Sequence, residues 1–341
     1  MHVTLRQLEV FEAVVRLRSF TKASKELHLS QPGVSTQVRQ LEAAVGQTLL
    51  EQRGRSFELT DAGVVIERLS HQIAEHLREA EDSLHELAGG RGGRLRIAVV
   101  STVNYFASRL LSRYCVDFPT VKVSLEVNNR QTVIQALREG TTDIVLMGRP
   151  PPALDVESVA FMDNPLVVIA GPRHHLATRT GITLAELAEQ TVLIREPGSG
   201  TRTAMQRFFS DHEIEPASAI EMNSNEAIKQ AVEAGLGVGV VSMHTVGLEL
   251  DAERLVVLDI ERFPIVRRWY VVHRRGKRLS GAAQAFKALV IEQARGERAK
   301  MSEQIANMRA AGARDESSRT TTRDSRVKPR SRRASRAAPK R

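Results

Sequence analysis

The chain has 341 residues, 42% of them hydrophobic, which is enough to bury more than one core, so two or more domains are expected. The single cysteine, Cys115, excludes an intramolecular disulfide and any multi-cysteine metal site, and no apolar run approaches the roughly 20 residues needed to span a bilayer. The net charge of +9 is local: residues 309–341 carry twelve Lys/Arg against three Asp/Glu while the remainder is neutral, so the pI of about 10.1 belongs to a C-terminal segment and not to a basic domain.

Leu5, Leu8, Phe11, Val14 and Val15 recur at three- and four-residue intervals and predict a first helix. Ser19 to Leu41 then reads as two short helices joined by a tight turn. Ser19 is a good N-cap, and Phe20, Ala23 and Leu27 keep helical spacing. His28-Leu29 breaks that pattern. Ser30 caps the next helix, with Pro32 in its first turn, where a missing N–H costs nothing. Val34, Val38 and Leu41 form its buried stripe, and Gln31, Ser35, Thr36, Gln37, Arg39 and Gln40 its other face. Amides and hydroxyls there can donate and accept, and Arg39 can reach phosphate or guanine. This chemistry suits a helix reading base edges in a major groove; the plainer alternative is a solvated face.

From Thr48 to Thr60 the period changes to two short strands around Arg53-Gly54-Arg55. A helical triplet followed by a basic hairpin is a winged helix-turn-helix, here over residues 1–60, with the hairpin arginines along phosphate or in a minor groove. The candidate DNA contacts are Ser30, Gln31, Pro32, Ser35, Thr36, Gln37, Arg39, Arg53 and Arg55.

Thr60-Asp61-Ala62-Gly63 caps a long helix over 61–88, with a hydroxyl and an early acid. Its apolar positions Ile66, Leu69, Ile73, Leu77, Ala80, Leu84 and Leu87 are spaced 3, 4, 4, 3, 4 and 3. That is the coiled-coil period, and it predicts homodimerisation through this linker helix, against the alternative of a helix packed on its own chain. Four glycines in residues 89–93 predict a hinge.

Residues 94–293 take the pattern of an α/β domain. A strand at Leu95, Ile97 and Val99 is followed by a helix over 102–117, a strand over 121–127, a helix over 130–139 and a strand over 143–147, an order that implies a parallel sheet. A second half starts with a strand over 166–170. Thr183-Leu184-Ala185-Glu186 is a capping box, and strand 192–195 runs into Glu196-Pro197-Gly198-Ser199-Gly200-Thr201 and a helix. Asn223 and Glu226 open a further helix, strands follow at 237–243, 255–258 and 268–272, and a helix over 280–293 closes the domain. The expectation is a two-lobed effector-binding domain of the periplasmic-binding-protein type. Lobe I takes about 94–162 and 268–293, lobe II about 163–267, with a cleft at the carboxyl ends of the strands.

Three segments end strands and open helices: Ser101-Thr102, Gly198-Ser199-Gly200-Thr201 and Asn223-Ser224-Asn225. Exposed helix-start amides and hydroxyls attract anions. Met147-Gly148-Arg149 ends another strand and adds a cation. The candidate effector contacts are therefore Ser101, Thr102, Met147, Gly148, Arg149, Gly198, Ser199, Gly200, Thr201, Asn223 and Asn225, each with routine capping as the alternative. Catalysis is poorly supported: the ten histidines are scattered, His174-His175 lies in a polar loop, and Cys115 falls on a patterned helix, where packing is the expectation. No metal-ligand spacing and no cofactor motif is found. The basic segment within 294–341 predicts disorder, and its role stays open between a nucleic-acid contact and a solvated tail.

The run from Phe11 to Gly63 resembles the N-terminal domain of the LysR-type transcriptional regulators, and the resemblance continues to about residue 293. Residues 147–151 (MGRPP), 163–177 (DNPLVVIAGPRHHLA), 195–202 (REPGSGTR), 223–237 (NSNEAIKQAVEAGLG) and 267–280 (RRWYVVHRRGKRLS) are similar to the subgroup that activates the Calvin-cycle RuBisCO operon. The resemblance implies a cytoplasmic homotetramer, a dimer of dimers on double-stranded promoter DNA, with RNA polymerase as a further partner and no membrane. It implies base contacts from Gln31, Pro32, Ser35 and Thr36, and an effector that is a sugar phosphate, phosphoenolpyruvate or NADPH. The alternatives are a LysR-type regulator of another metabolic operon, or a solute-binding α/β protein whose N-terminal helices only dimerise.

Overall fold

The computed structural model describes residues 2–54, 56–87 and 92–296. Contacts divide the described residues into two units, one of residues 2–161 with Trp269–Gln293 and one of Met162–Arg268 with 294–296.

The first unit begins with α1 (Leu5–Leu17), α2 (Phe20–Glu26) and α3 (Gln31–Val45). Thr4 and Gln7 form a capping box on α1, Ser19 accepts from Lys22 N on α2, and Ser30 accepts from Gly33 N on α3. Left-handed His28 and the left-handed C-cap Gly46 end the second and third helices' turns. Phe11, Val14, Ala23, Val34, Val38 and Leu41 make one apolar core. The strands β1 (Leu50–Arg53) and β2 (Ser56–Leu59) pair antiparallel as the wing.

Helix α4 (Asp61–Leu87) starts on the Thr60 hydroxyl, which accepts from Gly63 N at 2.9 Å. Its stripe divides. Ile66, Leu69 and Ile73 pack on the protein's own helical core, whereas Leu77 and Leu84 are 45% and 66% exposed. The proximal half therefore follows the own-chain alternative, because a helix entering from the wing lies first against α1; only the distal half presents an unpartnered stripe. Of the glycine run, 89–91 lies outside the described residues, and Gly93 is already the first residue of a strand.

That strand, β3 (Gly93–Val100), precedes α5 (Asn104–Asp117), β4 (Val121–Asn128), α6 (Arg130–Glu139) and β5 (Ile144–Gly148). β4, β3 and β5 are parallel, as the alternation with helices requires. Helix α5 begins two residues later than its sequence pattern suggests and buries Phe106, Ala107, Leu110 and Tyr114. Cys115 is exposed, which corrects the expectation that it packs; at helical spacing its neighbour Tyr114 takes the inward position. Tyr114 donates to Ala282 O at 2.8 Å, tying α5 to the closing helix over 281–296. Burial pushes its phenol up to about 12.

The second unit is entered along β6 (Val156–Ala170), continues through α7 (Leu184–Ala188), β7 (Thr191–Arg195), α8 (Gly200–Asp211), β8 (Ser218–Met222), α9 (Asn225–Glu233), β9 (Val238–Ser242), α10 (Gly247–Asp251) and β10 (Val256–Val257), and is left along β11 (Ile265–Arg274). β8, β7 and β9 are parallel; β6 runs antiparallel to β9, and β10 to β6. β6 starts ten residues before the expected strand. Asp163-Asn164-Pro165 reads as loop punctuation, yet Asn164 is buried inside the strand, where its Oδ1 accepts from Ser242 Oγ at 2.6 Å. β8 is an exposed edge strand whose polar face conceals it in the sequence. In the first unit β11 is antiparallel to β5, so the sheet is mixed there.

Candidate functional site

On α3 the structure places Val34, Val38 and Leu41 inward. Gln31, Pro32, Thr36, Arg39 and Gln40 are exposed, and Ser35 and Gln37 half-buried, so one face is free to meet a groove. Ser30 is committed to capping through its hydroxyl. Arg39 donates to Ser35 Oγ at 3.1 Å, which presents a hydroxyl and a guanidinium as one unit. In the wing, exposed Arg53 pairs with Glu58 at 3.1 Å, and Arg55 lies outside the described residues.

The other candidate residues fall into two sets, each at the carboxyl ends of parallel strands in its own unit. In the first unit Val99 stands opposite Leu146, so Ser101 and Gly148 lie equally far past one rung. Ser101 N donates to Asn128 O at 3.1 Å, and Ser101-Thr102 occupy the turn before α5, not its first turn. Met147 is fully buried among Ala98, Val133 and Val145, so its side chain belongs to the core. Gly148 is buried too, and Arg149 is exposed. Sequence reasoning missed Arg130. It starts α6, donates to Arg149 O at 3.0 Å, and burial lowers its guanidinium below the ordinary value.

In the second unit β7 ends at Arg195, and Gly198, with φ of 84°, turns the chain into α8. Ser199 and Thr201 are 3% and 5% exposed. Ser199 sits at the N-cap, yet its side chain makes no cap hydrogen bond. The first-turn N–H groups of α8 and the positive end of its dipole therefore meet two small hydroxyl residues, a combination that favours an anion. Gly200 O accepts from Arg267 at 2.9 Å.

Neighbouring charge is held in order. Buried Arg195 donates from Nε and Nη2 to both oxygens of Glu196, at 2.7 and 2.9 Å, and from Nη1 to Asn225 Oδ1 at 2.7 Å. Arg202 donates to Arg195 O at 2.9 Å and pairs with Glu221. Arg195, Arg202 and Arg267 thus stand against Glu196 and Glu221, leaving this strand end positive. Asn225 serves the scaffold, while Asn223 is exposed and Ser224 caps α9. Arg195 and Arg267 were missed because an arginine at the edge of a strand pattern gives no periodic signal; the turn Glu196-Pro197-Gly198 was the one local pointer to Arg195. His174 and His175 stack on each other with ring centroids 4.5 Å apart, and among the described residues no group of three or more His, Cys, Asp or Glu could hold a metal ion.

Residues 5–64 match the family of bacterial regulatory helix-turn-helix proteins of the lysR type, and residues 88–295 match the LysR substrate binding domain. A RuBisCO operon transcriptional regulator from Allochromatium vinosum is 53% identical over 294 residues, which is 86% of this chain and 97% of that protein. The structure of the Synechocystis PCC6803 CcmR regulatory domain in complex with 2-PG is 40% identical and covers 60% of this chain and 97% of its own, with a TM-score of 0.57. Full-length OxyR from Pseudomonas aeruginosa shares the fold, with a TM-score of 0.67, 21% identity, and coverage of 86% of this chain and 95% of its own. The chain belongs to the LysR family of bacterial transcriptional regulators.

Proposed function

We propose that this protein regulates transcription of a RuBisCO operon, as an activator, and that a small phosphorylated metabolite controls it. The observation that carries the reading is the 53% identity to a RuBisCO operon regulator across 97% of that relative's length, so the likeness includes both the reading helix and the effector domain. Residues 1–60 bind promoter DNA, with Gln31, Pro32, Ser35, Thr36 and Gln37 at base edges and Arg39, Arg53 and Arg55 at phosphate. The protein acts in the cytoplasm, carries out no catalysis of its own, and engages RNA polymerase at the promoter.

The metabolite is held in the second unit by Ser199, Gly200 and Thr201 at the start of α8. The largely buried Thr201, the uncapped Ser199 and the positive balance of nearby arginines support an anion there. The CcmR domain in complex with 2-PG supports a compound of that kind. Ser101, Thr102 and Arg149 form a separate polar strand end within the first unit. Dimerisation uses the distal stripe Leu77, Ala80 and Leu84, together with the groove lined by Leu5, Leu8, Leu27, Ile73 and Leu77; two dimers assemble on one promoter.

Calorimetry tests the effector site. Thr201→Val keeps the shape and removes the hydroxyl, so 2-PG, phosphoenolpyruvate or NADPH binds the parent and binds the variant more weakly, by about 1.5–3 kcal/mol for a hydrogen bond to a charged group. Equal affinity of parent and variant for every ligand that binds, or no binding of any of the three to the parent, removes this assignment.

A further inference from the structure

Glu75 lies on α4, two residues beyond Ile73, where the helix still packs on the helix-turn-helix core, and it is a carboxylate with a side chain only 8% exposed. Its two oxygens are both taken. Arg274 Nη1 donates to Oε2 at 2.5 Å and Lys277 Nζ to Oε1 at 2.8 Å. Lys277, equally buried, also donates to Asp143 Oδ1 at 3.1 Å, and Asp143 accepts from the Arg96 side chain at 2.7 Å and from its backbone N–H at 2.8 Å. Five charged groups from α4, β3, the connection before β5, the end of β11 and the segment after it therefore form one network inside the first unit. The fold makes room for it at Gly140, the left-handed C-cap of α6, where a Cβ would collide with the Glu75 carboxylate.

A solvated face does not bury a helix carboxylate between two cations. Such a group is stable when seated and costly when half-released, which favours an all-or-none departure into water over a partial one. The network therefore fastens the helix that carries the DNA-binding domain to the α/β fold, independently of the covalent connection through residues 88–92. One of its cations, Arg274, is the last residue of β11, and seven residues earlier on the same strand Arg267 donates to Gly200 O at the start of α8. A single strand thus bears on the proposed anion site at one end and on the linker helix at the other.

We propose that Glu75 is a positioning residue that sets the linker helix on the effector domain, and that β11 conveys ligand occupancy from Arg267 to Arg274 and so to Glu75. The coupling through β11 rests on the proposed anion site at the start of α8; the clamp at Glu75 does not. A ligand acts through the clamp only by favouring one of its two arrangements.

The test uses the full-length protein, the variants Glu75→Gln and Arg274→Met, and 2-PG as the probe. Three quantities are measured: 2-PG affinity by calorimetry, bend angle of a promoter fragment without ligand, and the change in promoter affinity on adding 2-PG. Both variants are expected to melt cooperatively, to retain 2-PG binding with an affinity shifted from the parent's, and to bend ligand-free DNA to an angle different from the parent's beyond replicate error. The 2-PG response, about 5- to 150-fold in a coupled regulator, collapses toward onefold. A purely structural role of Glu75 does not separate ligand binding from ligand response in this way. A parental ligand-free bend angle in both variants overturns the clamp. An altered bend angle with a full 2-PG response keeps the clamp and overturns the β11 coupling. If 2-PG fails to bind the parent, the anion-site reading and the coupling that rests on it both fall, and the ligand-free bend angle alone decides the clamp. If Glu75→Gln does not fold, Arg274→Met, which leaves Glu75 paired with Lys277, decides both points by the same measurements.

Discussion

The guanidinium of Arg195 donates to Oδ1 of Asn225 at 2.7 Å, joining the end of β7 to the first turn of α9 while both side chains are buried. This bond sets the start of α9 against the end of β7 in the second unit. Asn225→Ala leaves a buried N–H of Arg195 without that acceptor, a loss of about 1–3 kcal/mol. Thermal unfolding should show a lowered Tm for this variant and an unchanged one for exposed Asn223→Ala. A parental Tm for Asn225→Ala contradicts the scaffold role.

The reading helix was legible because its signals are local. A capping serine, a proline in the first turn and three apolar residues at helical spacing fix both its position and its outward face. The start of β6 and edge strand β8 were not, because exposed or half-polar strands lack the alternation that marks a one-sided sheet. For the linker helix the heptad stripe was visible, but nothing in the spacing tells Ile66, which packs on its own domain, from Leu84, which does not. At the candidate effector site the small residues of α8 were found by their turn. Arg130, Arg195 and Arg267 were not, since each acts through a partner distant in sequence, Arg149, Asn225 and Gly200 respectively.

Gln31→Ala and Thr36→Ala remove exposed groups from α3 that support no fold contact. Each is expected to weaken operator binding, where a good base contact is worth about 1–3 kcal/mol, and to leave non-specific binding almost unchanged. Arg53→Ala is expected to act differently, lowering affinity for all sequences and reducing the salt slope by about one. Gel-shift titrations at several salt concentrations separate the two classes. Parental operator affinity in the double variant of Gln31 and Thr36 removes α3 from base reading.

The divided stripe of α4 makes two contrasting substitutions informative. Leu84→Lys puts an ammonium into the exposed half of the stripe and should lower the mass seen by light scattering while the monomer stays folded. Ile66→Ala instead opens a cavity in the helix-turn-helix core and should cost about 2–5 kcal/mol of stability, with the oligomer mass unchanged at low temperature. Undiminished mass for Leu84→Lys combined with Leu77→Lys rules out the distal stripe as the dimer seam.

Asp143 links the clamp to acid stability. Burial pushes its carboxyl up, but the hydrogen bond and charge of Arg96, with Lys277, outweigh this and hold it below the ordinary aspartate range. The folded protein thus releases this proton more readily than the unfolded chain. The contribution is complete above the unfolded value of about 3.9 and disappears as pH falls through the lower folded value. Urea midpoints measured at successive pH values for the parent and Asp143→Asn should therefore differ most near neutrality and converge in acid. A difference that stays constant down to the acid limb contradicts the assignment.

If a phosphorylated metabolite controls how this LysR-family protein occupies the promoter of a RuBisCO operon, the protected stretch of DNA must depend on that metabolite. The decisive measurement is DNase I footprinting of the full-length protein on such a promoter, with and without 2-PG, phosphoenolpyruvate and NADPH. The expected result is a specific footprint without ligand, whose extent or hypersensitive positions shift with at least one of the three, and loss of that shift in Thr201→Val with the ligand-free footprint retained. Absence of a specific footprint, or a footprint identical under all conditions, contradicts metabolite control of this promoter.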